Sequence, residues 1–303
     1  MDNERVVPDQ NMTSGVLVVD KPIGLTSHQV VQIIRRGTNI KRAGHTGTLD
    51  PRASGVLVVL VGPAVRLSEY ISAEDKRYQA TIKLGEKTDT YDGDGVITGT
   101  SDVNVSREQF EEALQGFVGE IEQVPPPYSA IKVKGRRAYD MARKGEEVEL
   151  EARTIHVHSL EVVEWNLPEV VVDVHCSSGT YVRSLAYDLG EKLGCGANLT
   201  GLRRTKSGSF TLKDAQPLRK LSEAFENNTW FRYLIPAAEA LSEWPSITLS
   251  NEEVDLVRHG HRIPRSELLE GQVRAITEQG ELVALMEADP ETTEYKPKKV
   301  FFA

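Results

Sequence analysis

The run GVLVVLVG, residues 55–62, constrains this chain more than any other segment. Eight residues without a polar side chain leave a strand no face for water, so a strand buried on both sides is expected here. GVLVVDKP (15–22) is a second apolar strand, stopped by Pro22 and Gly24. A helix capped by Thr26 or Ser27 follows, with Val30, Val31, Ile33 and Ile34 at helical spacing. Pro63 opens a helix in PAVRLSEYI, RYQATIKLGEKT (77–88) alternates as a strand, and Ser106 caps a helix over 106–118. Residues 168–194 read as strand, Ser-Ser-Gly turn and helix, and 197–212 as a hairpin. These elements do not repeat as βα units. The expected fold class is therefore α+β, a mixed, mostly antiparallel sheet with flanking helices.

A chain of 303 residues suits one large domain and one small one. Residues 1–14 are a polar, loose tail, and 15–245 hold the main domain. Near 246 the texture changes to short β segments, a small β-rich module over 246–303. Within the main domain, 124–152 stand out as an insertion, where PPP leads into a basic stretch and then the acidic EEVELE. No segment has the length or apolarity of a membrane span, and the N-terminus lacks a signal-peptide pattern. Two cysteines, Cys176 and Cys195, in no metal or disulfide spacing, point to a reducing cytoplasm.

A net charge of −9 argues against nucleic acid only if the cations are scattered, and they are not. Lys132, Lys134, Arg136, Arg137, Arg143 and Lys144 face a single acid, Asp140, between Tyr128 and Tyr139. Arg35, Arg36, Lys41 and Arg42 form a second cluster, and Arg203, Arg204 and Lys206 a third. Together they suit a phosphate-binding rim.

GHTGTLDPRASG (44–55) offers one carboxylate, Asp50, among many backbone donors. It is not a phosphate-binding P-loop, and the chain contains no GxSxG, HExxH or GxGxxG motif. DTYDGDG (89–95) fails the calcium-loop frame and reads as a Gly/Asp-rich hairpin turn; HGH (259–261) lacks a third ligand. Taken alone, the loop is equally a tight turn between helix and strand or a catalytic carboxylate.

Six motifs together bear on the matter: DKPIGLTS, GHTGTLDPRASGVL, DKRYQA, LGEKTDTYDGDG, SSGTYVRSLAYDLG and LTGLRRTKSG. Their order and spacing resemble the bacterial tRNA pseudouridine-55 synthases, the TruB family, over residues 15 to about 300. The resemblance implies isomerisation of uridine 55 in the tRNA T loop to pseudouridine on a flipped-out base. It implies a monomer with no cofactor, no metal and no obligatory protein partner, and makes 246–303 a PUA-like RNA-binding domain. It makes Asp50 the nucleophile, with the Arg183 guanidinium beside it to keep it charged and Tyr181 as a hydrogen-bond donor. By the same resemblance Tyr78 is expected to stack on the target base and Leu202 to wall its other side. His45 fills the space the base vacates, and Lys21 with Pro22 supports the loop at the edge of the RNA-binding set. The insertion becomes a thumb that lays Lys132, Lys134, Arg136 and Arg137 on the T stem-loop. Three rivals remain: a two-carboxylate glycosylase, a guide-RNA-dependent ribosomal pseudouridine synthase, and a non-catalytic RNA-binding or RNA-folding protein.

Overall fold

A computed structural model describes residues 14–129, 131–133, 135–142, 144, 146 and 150–301. The chain runs β1 (Gly15–Lys21), α1 (Ser27–Thr38), β2 (Ala43–His45), β3 (Ala53–Val61) and, after a 3-10 turn, α2 (Ser68–Ala73). β4 (Lys76–Leu84), the hairpin β5 (Glu86–Thr88) and β6 (Ile97–Thr100), α3 (Arg107–Gln115) and β7 (Gly119–Gln123) follow. Next come a small hairpin of β8 (Lys132–Val133) and β9 (Arg136–Arg137), α4 (Ala138–Ala142), β10 (Arg153–Asn166) and β11 (Glu169–Cys176). α5 (Val182–Leu193), β12 (Ala197–Ser207), β13 (Phe210–Thr211), β14 (Gln216–Pro217), α6 (Leu218–Glu226) and β15 (Ile235–Pro236) continue the chain. It closes with β16 (Ser246–Thr248), α7 (Asn251–Arg258), β17 (Ile263–Pro264), β18 (Gln272–Ile276), β19 (Leu282–Asp289) and β20 (Glu294–Val300).

These elements form two compact units that interleave along the chain. The first takes the described residues up to Pro51, Leu57–Ser72, and those from Lys213 onward; the second takes Arg52–Val56 and Ala73–Leu212.

In the first unit, β1 lies between β14 and β3, with β2 antiparallel to the end of β3. Leu57 to Val61 are all fully buried, the outcome their uninterrupted apolarity requires. Thr26 caps α1: its hydroxyl accepts from Gln29 N while the Gln29 side chain accepts from Thr26 N. Val30, Val31 and Ile34 face the core; Ile33, expected with them, stays half-exposed. Burying each of the three contributes about 1.5–3 kcal/mol. The helix stops where Asn39 turns left-handed. α6 packs so tightly on α1 that a Cβ on Gly37 would stand 2.3 Å from the Phe225 ring. Residues 246–300 build a five-stranded sheet, ordered β16-β18-β19-β20-β17, over Val257, Ile263, Val273, Met286 and Tyr295. Arg274 of β18 donates to the carbonyls of Ala238, Ser242 and Trp244.

In the second unit the order is β3-β12-β4-β11-β10-β7, parallel only between β3 and β12. α3 and α5 cover one face, where Leu114, Val182, Leu185 and Leu189 meet Ile82, Leu160, Val172 and Val174. α3 ends at Gln115, three residues before the expected limit. The 77–88 strand breaks at Gly85, whose φ of +82° and contact with Ser101 exclude a side chain. The hairpin expected over 197–212 is mostly one strand. β12 runs eleven residues between β3 and β4, and only Lys206 and Ser207 turn back onto β13. Its polar Thr200, Arg203 and Arg204 hide a central strand from any reading of hydrophobicity. Among the described residues, no helix is long and apolar enough to cross a membrane.

Candidate active site

Asp50 is half-buried, and both of its neighbours are fastened to the DKPIGLTS segment. The Ser27 hydroxyl accepts from Leu49 N at 2.8 Å and donates to Leu49 O at 3.0 Å. The Pro51 carbonyl accepts from Gly24 N at 2.8 Å. Lys21 is fully buried and its ammonium donates to Leu25 O (2.7 Å), Pro22 O (3.0 Å) and, at 3.5 Å, Pro51 O. A lone carboxylate in a glycine-rich loop is thus fixed through the main chain on each side of it. Lys21, expected at the edge of the RNA-binding set, does its work inside this turn. His45 ends β2 opposite Val59, and the next residue, Thr46, donates its N–H to Val58 O. Ser27, which the sequence left as a rival cap, is instead the clamp on the loop.

The second unit builds a cradle around Arg183. Tyr181 occupies the N-cap of α5 without a capping side chain. The buried Gln123 at the end of β7 takes over: its amide donates to Tyr181 O at 3.0 Å and accepts from Tyr181 N at 2.8 Å. Arg153 lies over the Tyr181 ring, 4.8 Å from its centroid, a cation–π contact that orients the phenol. Arg183, only 8% exposed, donates to Asp92 Oδ2 (3.1 Å), Thr90 O (3.3 Å) and Tyr128 O (3.0 Å). A buried guanidinium needs such partners, since an uncompensated one would cost several kcal/mol. Asp92 is itself held by the Thr90 hydroxyl at 2.6 Å and Asp94 N at 3.1 Å. The DTYDGDG turn therefore carries a counter-ion of Arg183. Tyr91 beside it stacks on Tyr187 at 3.9 Å, and burial, with the Tyr187 and Asp188 charges, pushes its phenol up to about 12.

Tyr78 sits on the buried side of β4, opposite Val174 on β11 and Arg204 on β12. Leu202 lies half-buried between Ala53 and Ala80. Two residues before Tyr78 on the same face, Lys76 is buried, and desolvation, then the Arg204 charge, brings its amine down to about 8. Arg204 overturns its expected place on a phosphate rim: it is 2% exposed and its Nε donates to Val56 O at 2.7 Å. Gly55 permits that approach, since a Cβ there would lie 2.2 Å from Arg204 O. Lys206 alone of its cluster is exposed, and Arg35 of the second cluster donates to Ala43 O.

Lys21, His45 and Asp50 belong to the first unit; Tyr78, Tyr181, Arg183 and Leu202 belong to the second. In the insertion, Arg136 is exposed and forms a bidentate pair with Glu146 at 2.7 and 2.8 Å. Lys134 and Arg143 lie outside the described residues, as do the side chains of Lys132 and Arg137. Sequence reasoning missed Ser27, Asp92, Gln123 and Arg153. Ser27, in DKPIGLTS, and Asp92, in LGEKTDTYDGDG, each lie in a motif that offered a signal to follow; Gln123 and Arg153 lie in none.

Comparison with known proteins narrows this arrangement in two steps. Residues 35–182 match the model described as TruB family pseudouridylate synthase (N terminal domain). Residues 183–242 match the tRNA pseudouridylate synthase B C-terminal domain. The class is thus that of the pseudouridylate synthases, which are isomerases. More narrowly, the chain belongs to the TruB family. It is 40% identical to tRNA pseudouridine synthase B of Syntrophobacter fumaroxidans, over 95% of this chain and 97% of that protein. The Symbiobacterium thermophilum protein of the same name is 47% identical, over 81% and 82%. Among solved structures, the Cbf5-Nop10-Gar1 complex holds a similar chain with a TM-score of 0.73 and 30% identity, over 95% of this chain and 85% of that one. An H/ACA RNP bound to a substrate RNA containing 2'-deoxyuridine gives 0.73 and 29%, over 97% and 86%.

Proposed function

We propose that the chain converts uridine 55 of the tRNA T loop to pseudouridine, with Asp50 as nucleophile on a flipped-out base. The observation that carries this reading is the fixing of Leu49 and Pro51, which presents one carboxylate at a set position. A carboxylate attacks without prior deprotonation, and isomerisation needs no outside reactant. The base must break from the sugar, stay bound, turn and rejoin through carbon. Tyr78 supplies a ring for the base to stack on, and Leu202 an apolar wall. Arg183 and Tyr181 supply the positive charge and the hydrogen-bond donor. His45 enters the space the nucleotide leaves.

The relatives at 40–47% identity are named for tRNA, which favours a stand-alone enzyme over a guide-RNA-dependent one. The basic insertion, with Arg136, Arg137, Lys132 and Lys134, would grip the T stem-loop, and the 246–303 sheet would act as the PUA-like module. Two buried, unpaired cysteines suit a cytoplasmic enzyme, and a monomer is the simplest form.

The test is incubation of unmodified tRNA transcript with the pure protein, without guide RNA, and mapping of pseudouridine by nucleotide. Asp50→Asn should abolish product while tRNA binding persists. Turnover by that variant, or modification at another uridine, would overturn the assignment.

A further inference from the structure

One cluster has no part in the proposed reaction. β10 carries His156 and His158, β11 carries His175, and Asp75 immediately precedes β4. Between Val157, paired with Cys176, and Ser159, paired with His175, the ladder slips by a residue. His158 is the extra residue of this bulge, a device that re-aims side chains. Burial changes phase at the same point: Val157 and Leu160, three apart, are both buried, so His158 is left on the solvent face together with His175. Their ring centroids are 4.5 Å apart. His158 Nε2 lies 2.9 Å and His175 Nε2 4.0 Å from the same oxygen, Asp75 Oδ2. The Asp75 carbonyl accepts from Gly208 N at 2.9 Å, which holds the segment in place.

We infer that Asp75, His158 and His175 form a binding site for one divalent transition-metal ion of the zinc class. Their ligand atoms all fall within 4.8 Å of one another. Around a tetrahedral zinc, with bonds near 2.1 Å, ligand atoms lie about 3.4 Å apart. The 2.9 and 4.0 Å separations from Asp75 Oδ2 bracket that value, and side-chain rotation that draws the two imidazoles, whose ligand nitrogens lie within 4.8 Å of each other, to the same spacing closes the site. Two imidazoles and one carboxylate suit zinc, nickel or cobalt(II) and not the oxygen-seeking magnesium or calcium. The three side chains are 33–48% exposed, which leaves water to complete the coordination.

The charges around the cluster set its pH range. Glu74 adjoins Asp75; Arg77 of β4 pairs with Asp173 of β11 at 2.6 Å; His156 stands beside His158, and Lys206 reaches the cluster from β12. Burial, then the neighbouring His158, lowers the pKa of His175. Arg77 and Lys206 set positive charge beside the cluster, against the carboxylates of Asp75, Glu74 and Asp173. A bound ion would staple β10, β11 and the chain entering β4, three residues before Tyr78.

Zinc chloride titrated into the untagged, chelator-treated full chain tests this by calorimetry, with cobalt(II) absorption reporting the ligand set. One ion per chain should bind, the thermal midpoint should rise, and affinity should fall with pH through the histidine range. His158→Gln and His175→Gln, both on the solvent face, should each weaken binding at least about tenfold with an unchanged far-UV spectrum. Asp75→Asn gives an independent variant if either one misfolds. Absence of saturable binding, or variants that bind as tightly as the parent chain, would overturn the site.

Discussion

Ser27→Ala is the sharpest test of how the loop holds Asp50. The hydroxyl is 1% exposed and serves both main-chain groups of Leu49, at 2.8 and 3.0 Å. Removing it orphans a buried N–H and a buried C=O, each worth about 1–3 kcal/mol when kept dry. A loop that stayed in place would therefore lose about 2–6 kcal/mol. Relaxation that lets water reach Leu49 limits the loss to about 2 kcal/mol, but it moves Asp50. A shift of about 1 Å at a reacting group costs on the order of 10²-fold in rate. Thr26→Ala is the control one residue away. It removes the cap of the same helix, costs about 1 kcal/mol, and leaves Leu49 alone. Urea unfolding gives both stabilities, and single-turnover pseudouridine formation on unmodified tRNA gives both rates. If Ser27→Ala turns over as fast as Thr26→Ala with its stability loss present, the clamp does not position Asp50. If its stability is unchanged, the hydroxyl does not hold Leu49 at all.

Asp92→Asn should destabilise the chain by about 2 kcal/mol, below the 3–5 kcal/mol for deleting one partner of a buried pair, because the amide still accepts from Arg183. The same variant should slow turnover with tRNA affinity intact, and unaltered turnover would remove Asp92 from the site's support. Burial, then Glu191, pushes the Asp188 carboxyl up to about 6. Its folded-state pKa is raised, so its stabilising contribution is present below about pH 4 and lost as pH rises to about 6. Asp188→Asn should accordingly stabilise the protein at pH 7 by about 1 kcal/mol, a figure held down by solvent screening at this partly exposed position, and do little at acid pH. Denaturation at the two pH values checks it. Gly55→Ala would force a methyl to 2.2 Å from Arg204 O at a φ of +99°, and should cost more than about 3 kcal/mol in the same assay.

Much of the fold could be read before any coordinates. The buried strand at 55–62, the caps at Ser106 and near Thr26, and the β segments beyond 246 all follow from local patterns. β12 escaped because an arginine whose stem and guanidinium are both buried looks like a surface residue in one dimension. The rim assigned to Arg204 failed for the same reason. Asp50, Tyr78, Tyr181 and Arg183 were proposed through whole motifs, which set residue types at fixed offsets along a strand or turn. Their supports were not: Ser27 reaches Leu49 across 22 positions, Gln123 reaches Tyr181 across 58 and Arg183 reaches Asp92 across 91.

Interactions that close within a few residues, such as a cap, an apolar run or a glycine turn, are specified by neighbouring side chains, and the chain alone suffices to state them. Whether Thr26 or Ser27 is the cap, what neutralises Arg183, and how a bulge turns His158 toward His175 depend on segments far apart in sequence. Packing brings those segments together, and a buried polar atom takes whichever partner the fold supplies, because leaving it unpaired costs more than any local preference gains.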